Sequence, residues 1–170
     1  PAGPGSESLP VLETPLAVPE APTGVVATPS DGGVSLAFTA AIDGGTPVTN
    51  YEYQVDSGSW VTLNPSVTTS PIVITGLNNG TLYGFKIRAV NALGSGTESS
   101  SVSATPRTVP GAPTSVSASS GARQSDAVSW TAPTSNGGSA ITGYAVRFSV
   151  VSTNVWSTPT LTNSTSTTFT

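Results

Sequence analysis

The chain has 170 residues, enough for one medium-sized domain or two small ones. Charged residues make up 8% of it, and a net charge of −4 with scattered basic residues argues against nucleic acid or an anionic membrane surface as a partner. His, Cys and Met are absent, which removes imidazole and thiolate chemistry and the metal sites built from those ligands. No apolar run is long enough to cross a bilayer, so we expect no membrane insertion of this segment. We also expect no cofactor.

The sequence repeats itself with a period of about 91 residues. Pro19-Glu20-Ala21-Pro22-Thr23 returns as Pro110-Gly111-Ala112-Pro113-Thr114. Further matched positions are Gly44-Gly45 with Gly137-Gly138, and Tyr51 with Tyr144. An internal repeat of this length predicts more than one domain of the same kind.

Within a repeat, apolar residues alternate with polar ones, as half-buried strands require. The breaks between these runs carry Gly, Asp and Asn, which tight turns prefer, and no segment keeps the 3.6-residue period of a helix. The first full repeat therefore predicts an antiparallel sandwich with strands near 23–28, 33–40, 48–55, 59–63, 71–75, 81–91 and 97–104.

The stretch Leu77-x-x-x-Thr81-x-Tyr83-x-Phe85-x-Ile87-x-Ala89-x-Asn91 resembles the sixth strand of the fibronectin type III family, with the tyrosine corner before it. The prolines ahead of the first strand of each repeat also resemble that family. So do the aromatic residue of the second strand, Phe38 or Trp130, and the tyrosine of the third strand, Tyr51 or Tyr144. The resemblance implies an all-β fold of tandem immunoglobulin-like antiparallel sandwiches with no significant helix. It also implies a structural core that includes Phe38, Tyr51, Leu77, Tyr83, Phe85, Trp130 and Tyr144.

The repeats predict four segments along the chain. Residues 1–18 form a Pro-rich linker or the tail of a preceding repeat, and residues 9–13 would be its last strand. Residues 19–106 form a complete domain, residues 107–113 a semi-rigid Pro-rich linker, and residues 114–170 an incomplete domain without its last two strands. Such a domain would expose one face of its core. Truncation, disorder and supply by other subunits of a larger assembly all remain open for the missing strands.

Few residues are candidates for chemistry. The Ser residues lie outside any Gly-x-Ser-x-Gly elbow, so we expect no enzyme activity from this chain. Glu52 and Asp56 are close in sequence, but their spacing places both on the outward face of one strand, where solvated surface is the expected role. Asp31 and Asp43 lie in Gly-rich turns and are interpreted as turn formers rather than calcium ligands.

Trp60 and Trp156 fall in the same region of the two repeats and are the candidate surface contacts. They could stack against sugar rings, or each could pack across an edge strand as a cross-strand partner, which is the favoured interpretation. Asn79 and Asn163 fit the glycosylation sequon, and Asn79 also fits an ordinary Asn-Gly turn.

These observations favour a non-catalytic structural and interaction array, a spacer or adhesin-like protein at the cell surface or outside the cell. Its partner would be a protein or glycan surface whose identity the sequence does not give. Two alternatives are a bacteriophage fibre or decoration protein on the virion surface, and an accessory spacer module of a secreted polysaccharide-degrading enzyme. The integrin-binding tripeptide Arg-Gly-Asp of the family is absent, so that activity is not expected.

Overall fold

The computed structural model describes residues 15–120, 126–150, 152 and 154–170. All regular secondary structure in these ranges is β-strand. The strand expected at residues 9–13 lies outside the described residues.

The first repeat contains eight strands in two sheets. One sheet has the order β1-β2-β5 and the other the order β4-β3-β6-β7, with β8 also paired to β6. The strands are β1 (Thr23–Ser30), β2 (Gly33–Thr39), β3 (Asn50–Val55), β4 (Val61–Thr62), β5 (Ile72–Thr75), β6 (Tyr83–Asn91), β7 (Gly94–Ser95) and β8 (Val102–Ala104).

The core of the first repeat forms because β2, β5 and β6 place alternate residues on an inner face. In β6, Phe85, Ile87 and Ala89 are at most 1% exposed, while the residues between them are half-buried. β6 is antiparallel to β3, where Tyr51 lies opposite Ala89 and Val55 opposite Phe85. The side chains of β6 therefore close one side of the core.

The seventh expected strand differs from the structure. The interval 97–104 holds β8 only at its end, and β7 lies ahead of it. Between them the chain bonds in two directions, because Thr97 donates its N–H to the carbonyl of Pro19 whereas Ser99 donates to Ile87 of β6. Gly96 permits this course, since a Cβ at that position would overlap the carbonyl oxygen of Pro19.

The second repeat builds the first of these sheets again but not the second. Its three-stranded sheet has the order β15-β10-β9, equivalent to β5-β2-β1. The remaining described strands form two separate pairs, β11 with β14 and β12 with β13. The strands are β9 (Thr114–Ser120), β10 (Asp126–Thr131), β11 (Ala145–Val146), β12 (Ser149–Val150), β13 (Val155–Trp156), β14 (Thr160–Leu161) and β15 (Thr168–Phe169).

Candidate functional site

The residues predicted to form the core occupy two levels of burial. Phe38, Tyr51, Phe85 and Trp130 are buried, whereas Leu77, Tyr83 and Tyr144 are half-buried. A pair of rings recurs, with 4.7 Å between the ring centroids of Phe38 and Tyr51 and 5.0 Å between those of Trp130 and Tyr144. The four buried residues lie in the interior, and the core role of Leu77, Tyr83 and Tyr144 stays a prediction, so a functional site is sought among other residues.

A tight turn in the first repeat holds the segment that leads into it. The Asp43 carboxylate accepts the N–H of Gly45 at 2.9 Å, and Gly44 has the left-handed φ of 71° that glycine tolerates best. The Gly44 carbonyl accepts the N–H of Ala17 at 2.8 Å, and the carbonyl of residue 42 accepts that of Glu20 at 2.9 Å. We call this turn with its two bonded residues the first linker clamp.

The second repeat contains the same arrangement at the matching positions. The Asn136 side-chain oxygen accepts the N–H of Gly138 at 2.9 Å, and Gly137 again has a φ of 71°. The Gly137 carbonyl accepts the N–H of Thr108 at 2.8 Å, and the carbonyl of residue 135 accepts that of Gly111 at 2.9 Å. This is the second linker clamp, and it fixes how residues 108–111 meet the second repeat.

Close approach explains why glycine stands at the centre of each clamp. A Cβ at Gly44 would overlap the carbonyl oxygen of Ala17, and one at Gly137 would overlap that of Thr108. In the first clamp, the buried amide of Asn91 adds bonds of 2.8 Å to the Ala17 carbonyl and 3.0 Å to the Asp43 carbonyl. The end of β6 thereby reinforces the clamp. The contribution of Asn91 was missed by the sequence reasoning.

A polar and aromatic cluster covers the outer face of β3 and β6, formed by Glu52, Trp60 and Arg88. Glu52 and Arg88 lie directly opposite each other in the two strands. The Arg88 Nε donates to Glu52 at 2.7 Å, and its guanidinium carbon lies 4.2 Å from the centroid of the Trp60 ring. The outward orientation of Glu52 was expected, but the expectation that it is merely solvated is wrong. Its side chain is only 13% exposed because of this cover.

Two opposing effects act on the Glu52 carboxyl. Burial raises its pKa, but hydrogen bonds from Arg88, Thr62 and Ser95 and the charge of Arg88 outweigh burial and hold the pKa below its ordinary value. Glu52 therefore stays ionised as one partner of a structural ion pair. This arrangement differs from a catalytic acid, whose pKa would have to lie near neutrality.

Trp156 has a different environment from Trp60. It is 55% exposed and lies in β13, opposite Ser149 of β12. The guanidinium carbon of Arg147 lies 5.1 Å from the centroid of its ring. Each tryptophan thus contacts an arginine, but Trp60 belongs to a bonded cluster whereas Trp156 leaves more than half its surface open.

The remaining candidates lie in turns or on the surface. Asp31 accepts a bond of 2.7 Å from the Asn79 amide, whose oxygen accepts the N–H of Gly32 at 2.9 Å, so both side chains serve the turn. Asp56 is exposed and bonds the N–H of Gly84. Across the described ranges no group of three or more acidic side chains could hold a metal ion, and no helix has the length and hydropathy of a membrane span.

The sheet order and the buried alternation of β6 agree with the comparison to known families. Residues 20–105 match the profile of the fibronectin type III domain, half of the chain. The chain belongs to the fibronectin type III family. Its strand-rich fold is the all-β sandwich of that family.

The chain is similar to parts of several larger proteins. It is 34% identical over 85 residues to an amylopullulanase of Thermoanaerobacterium saccharolyticum, a match that covers 50% of this chain and 7% of that relative. The FN1–FN3 domains of chicken CNTN1 share 22% identity, with coverage of 85% and 52% and a TM-score of 0.48. A twitchin kinase region from C. elegans shares 28%, with coverage of 54% and 17% and a TM-score of 0.46.

Proposed function

We propose that this chain is a non-catalytic spacer array, in which fibronectin type III repeats hold other parts of an extracellular or cell-surface protein apart. The two linker clamps carry the proposal. The same turn, with glycine at the same φ and hydrogen bonds of the same length, binds the leading segment in both repeats. Repetition of this detail fits a module whose role is to be joined to others in a defined way.

The chemistry of the linker supports the same role. Three prolines in residues 105–113 fix φ along the segment and keep it extended. The clamp then bonds the linker amides of Thr108 and Gly111 to the second repeat, so those residues are not free to rotate. We infer that an extended linker held in this way sets the distance between the domains it joins, instead of acting as a free hinge. An adhesive role would also need a partner surface on a protein or a glycan. We include such a partner in the proposal.

Spin labels on the two repeats test the spacer, because the chain has no cysteine of its own to label. Spin labels attached to cysteines introduced at the exposed positions Ser57 and Thr158 would report the distance between the two repeats by pulsed electron paramagnetic resonance. We expect one narrow distance distribution for the wild-type clamp and a broader one for Gly137→Ala. Gly76→Ala is the control, because a Cβ there would have no neighbour within 4 Å. A broad distribution in the wild-type chain would contradict the spacer.

A second candidate function is that of an accessory spacer module in a secreted polysaccharide-degrading enzyme. The observation that favours it is the similarity over 85 residues to an amylopullulanase. In this form of the proposal, the catalytic residues belong to other parts of the parent protein. The repeats hold those parts apart, and the exposed face of Trp156 offers a surface on which a sugar ring could stack.

Retention on insoluble starch distinguishes a spacer that binds no sugar from one in which Trp156 is a platform for a sugar ring. Trp156→Ala should weaken retention if this tryptophan is a sugar platform, whereas Trp60→Ala should have less effect because Arg88 already lies over that ring. Phe148→Ala removes another ring that is 66% exposed and serves as the control for loss of apolar surface alone. Retention of the wild-type chain no stronger than that of an unrelated protein would eliminate the sugar-platform form. The virion alternative remains a prediction from the sequence.

A further inference from the structure

The chain contains two Asn-Gly pairs, Asn79-Gly80 and Asn136-Gly137. An asparagine before glycine can cyclise, because the main-chain nitrogen of the glycine attacks the side-chain carbonyl carbon without hindrance from a Cβ. The reaction requires that the glycine N–H gives up its hydrogen bond and that the side-chain nitrogen leaves as ammonia. The two pairs differ in both requirements.

Hydrogen bonds hold Asn79-Gly80 against this reaction. The Gly80 N–H donates to the main-chain carbonyl of Pro106 at 2.9 Å, so the attacking nitrogen is engaged. The side-chain nitrogen of Asn79, which would have to leave, donates to the Asp31 carboxylate at 2.7 Å. The side-chain oxygen accepts the N–H of Gly32 at 2.9 Å, and Asn79 is half-buried. The bonds to Pro106 and Asp31 would both have to break before the ring could close.

Asn136-Gly137 is held less firmly. The Gly137 N–H donates to the hydroxyl of Ser135 at 3.2 Å, and Ser135 is an exposed side chain that can rotate away. Gly137 itself is buried, but it turns its carbonyl towards the linker and its N–H towards this hydroxyl. Asn136 is exposed, and its side-chain nitrogen has no hydrogen-bond partner among the described residues. Its side-chain oxygen accepts the N–H of Gly138 at 2.9 Å, which polarises the carbonyl towards attack.

We propose that Asn136 is a site of spontaneous deamidation and that the reaction controls the second linker clamp. The Gly137 nitrogen bonds to the side-chain carbonyl carbon of Asn136 and loses its proton to solvent, while the side-chain nitrogen takes up a proton and leaves as ammonia. The product is a five-membered succinimide ring. Water then adds to one of the two ring carbonyls. Cleavage of the newly formed bond gives aspartate, and cleavage of the original main-chain bond gives isoaspartate.

The two products have different effects on the clamp. Aspartate is the residue that the first clamp already has, where the Asp43 carboxylate accepts the N–H of Gly45 at 2.9 Å, so this product keeps the turn. Isoaspartate leads the main chain through the side-chain carbon and adds a methylene group ahead of Gly137. There is no room for the resulting shift, because a Cβ on Gly137 would already overlap the carbonyl oxygen of Thr108. Isoaspartate therefore breaks the bond between the Gly137 carbonyl and the Thr108 N–H.

Deamidation would in this way release a linker residue as the protein ages. The chemical step depends only on the surroundings of Asn136. Its consequence for the distance between domains rests on the proposed spacer function, which the spin-label experiment tests separately.

Peptide mapping of the whole 170-residue chain tests the chemical step. Trypsin separates the two pairs, since Asn136 is the single asparagine in residues 124–147 and Asn79 lies in residues 1–86, where fragmentation assigns the site. The folded chain is incubated in mildly alkaline buffer, and each rate is divided by the rate of the same pair in urea, which removes the effect of neighbouring residues. Asn136 should then deamidate about tenfold or more faster than Asn79, a factor that one hydrogen bond to a charged group can supply.

Asp31→Ala is the matched control, because it removes the acceptor of the Asn79 amide and leaves the second clamp intact. It should speed deamidation at Asn79 and leave the rate at Asn136 unchanged. Equal normalised rates at the two pairs of the wild-type chain would overturn the proposal. So would an intact Asn136 in the folded chain after the time in which the chain in urea has reacted fully.

Hydrogen exchange of the Thr108 amide, followed by NMR, tests the effect on the clamp. The isoaspartate form, separated by ion exchange, should exchange this amide faster than the unmodified chain, whereas freshly prepared Asn136→Asp should exchange it at the unmodified rate. Unchanged exchange in the isoaspartate form would overturn the control of the clamp. A broad spin-label distribution in the fresh wild-type chain would instead contradict the spacer and leave the reaction at Asn136 intact, so the two failures are distinguishable.

Discussion

The two repeats share one half of the sandwich and differ in the other. Both have the three-stranded sheet, the ring pair and the linker clamp. The first repeat adds a sheet in which β3, β4, β6 and β7 are joined side by side, while the described residues of the second repeat leave the matching strands in two separate pairs. The linker clamp and the ring pair, which the repeats share, are formed by the linker and by the first half of each repeat. The second sheet depends on β6, which links β3 to β7.

The difference also shows in burial. Tyr51, in β3 beside β6, is fully buried, whereas its counterpart Tyr144 is half-buried and lines an open cavity of about 200 Å³. The same residue type in the same ring pair thus has different surroundings, and of the two only Tyr51 lies opposite a residue of β6, Ala89. Changes at matched positions should therefore have unequal effects where the side chain contacts β6, and similar effects at the clamp glycines, where the local strain is the same in both repeats.

The largest effect is expected at the ring pair. Tyr51→Ala should lower the free energy of unfolding of the first repeat by about 3–5 kcal/mol, the loss typical of a large buried aromatic side chain. Tyr144→Ala should cost the second repeat about half as much, because water already reaches that ring. Urea denaturation followed residue by residue by NMR measures each repeat separately. Equal losses in the two repeats would break the comparison.

The next largest effect concerns the clamp glycines, where the same strain applies in both repeats although only the first clamp has the added bonds of Asn91. Gly44→Ala and Gly137→Ala should each destabilise their repeat by about 2–3 kcal/mol, because a left-handed φ adds to overlap with a carbonyl oxygen. Gly76→Ala, with a φ of 80° but open space around it, should cost about 1 kcal/mol from backbone strain alone. Hydrogen exchange of the Ala17 and Thr108 amides reports clamp opening directly. A loss at only one clamp would show that they are not equivalent.

A smaller effect distinguishes the outer faces through pH. The folded pKa of Glu52 lies below its ordinary value of 4.5, so the ionised carboxylate stabilises the first repeat above that value. This stability is lost as the pH falls through the folded pKa. Glu52→Gln should therefore cost about 1–2 kcal/mol at neutral pH, with a gap to wild type that narrows below about pH 4.5. The second repeat has Ala145 at this position and should show no such change. A gap independent of pH would rule out the ionised carboxylate as its source.

The smallest effect is expected at Trp60 and Trp156, the two tryptophans outside the core. Trp60→Ala should destabilise the first repeat by about 1 kcal/mol, since it removes the cover from the Arg88 and Glu52 pair. Trp156→Ala should change the second repeat by about 0.5 kcal/mol or less, because its contact with Arg147 is longer and exposed. Thermal unfolding of the two variants gives this comparison. A larger loss for Trp156 would indicate that β13 is more tightly packed than its exposure implies.

Most of the first repeat was predictable because its strands follow local rules. Alternation located β1, β2, β3, β5 and β6 to within a few residues, and Gly-rich turns separated them. The position of β7 was missed, because whether residues 96–99 bond to β6 or to Pro19 depends on how the linker passes beside them. Contacts between distant segments have no local pattern that would reveal them.

The candidate sites were predictable to a lesser degree. The clamp could have been found from the sequence, since Asp43-Gly44-Gly45 and Asn136-Gly137-Gly138 stand at nearly the same distance from the two Pro-rich linkers. The outer cluster could not, because the spacing that put Glu52 on the outer face says nothing about Arg88, which lies opposite it only once β3 and β6 have paired in register.

The sequence by itself determined the all-β class and the turns, because period-two alternation and turn chemistry act within a few residues. Its resemblance to the fibronectin type III family rested on the motif from Leu77 to Asn91. Tertiary structure decided the rest: which carboxylate is covered and which tryptophan stays open. These properties depend on what lies across the sheet or across the core, at sequence separations of tens of residues. The outer cluster is the clearest case, because the local pattern of β3 is that of an ordinary strand and only its pairing with β6 brings Arg88 opposite Glu52.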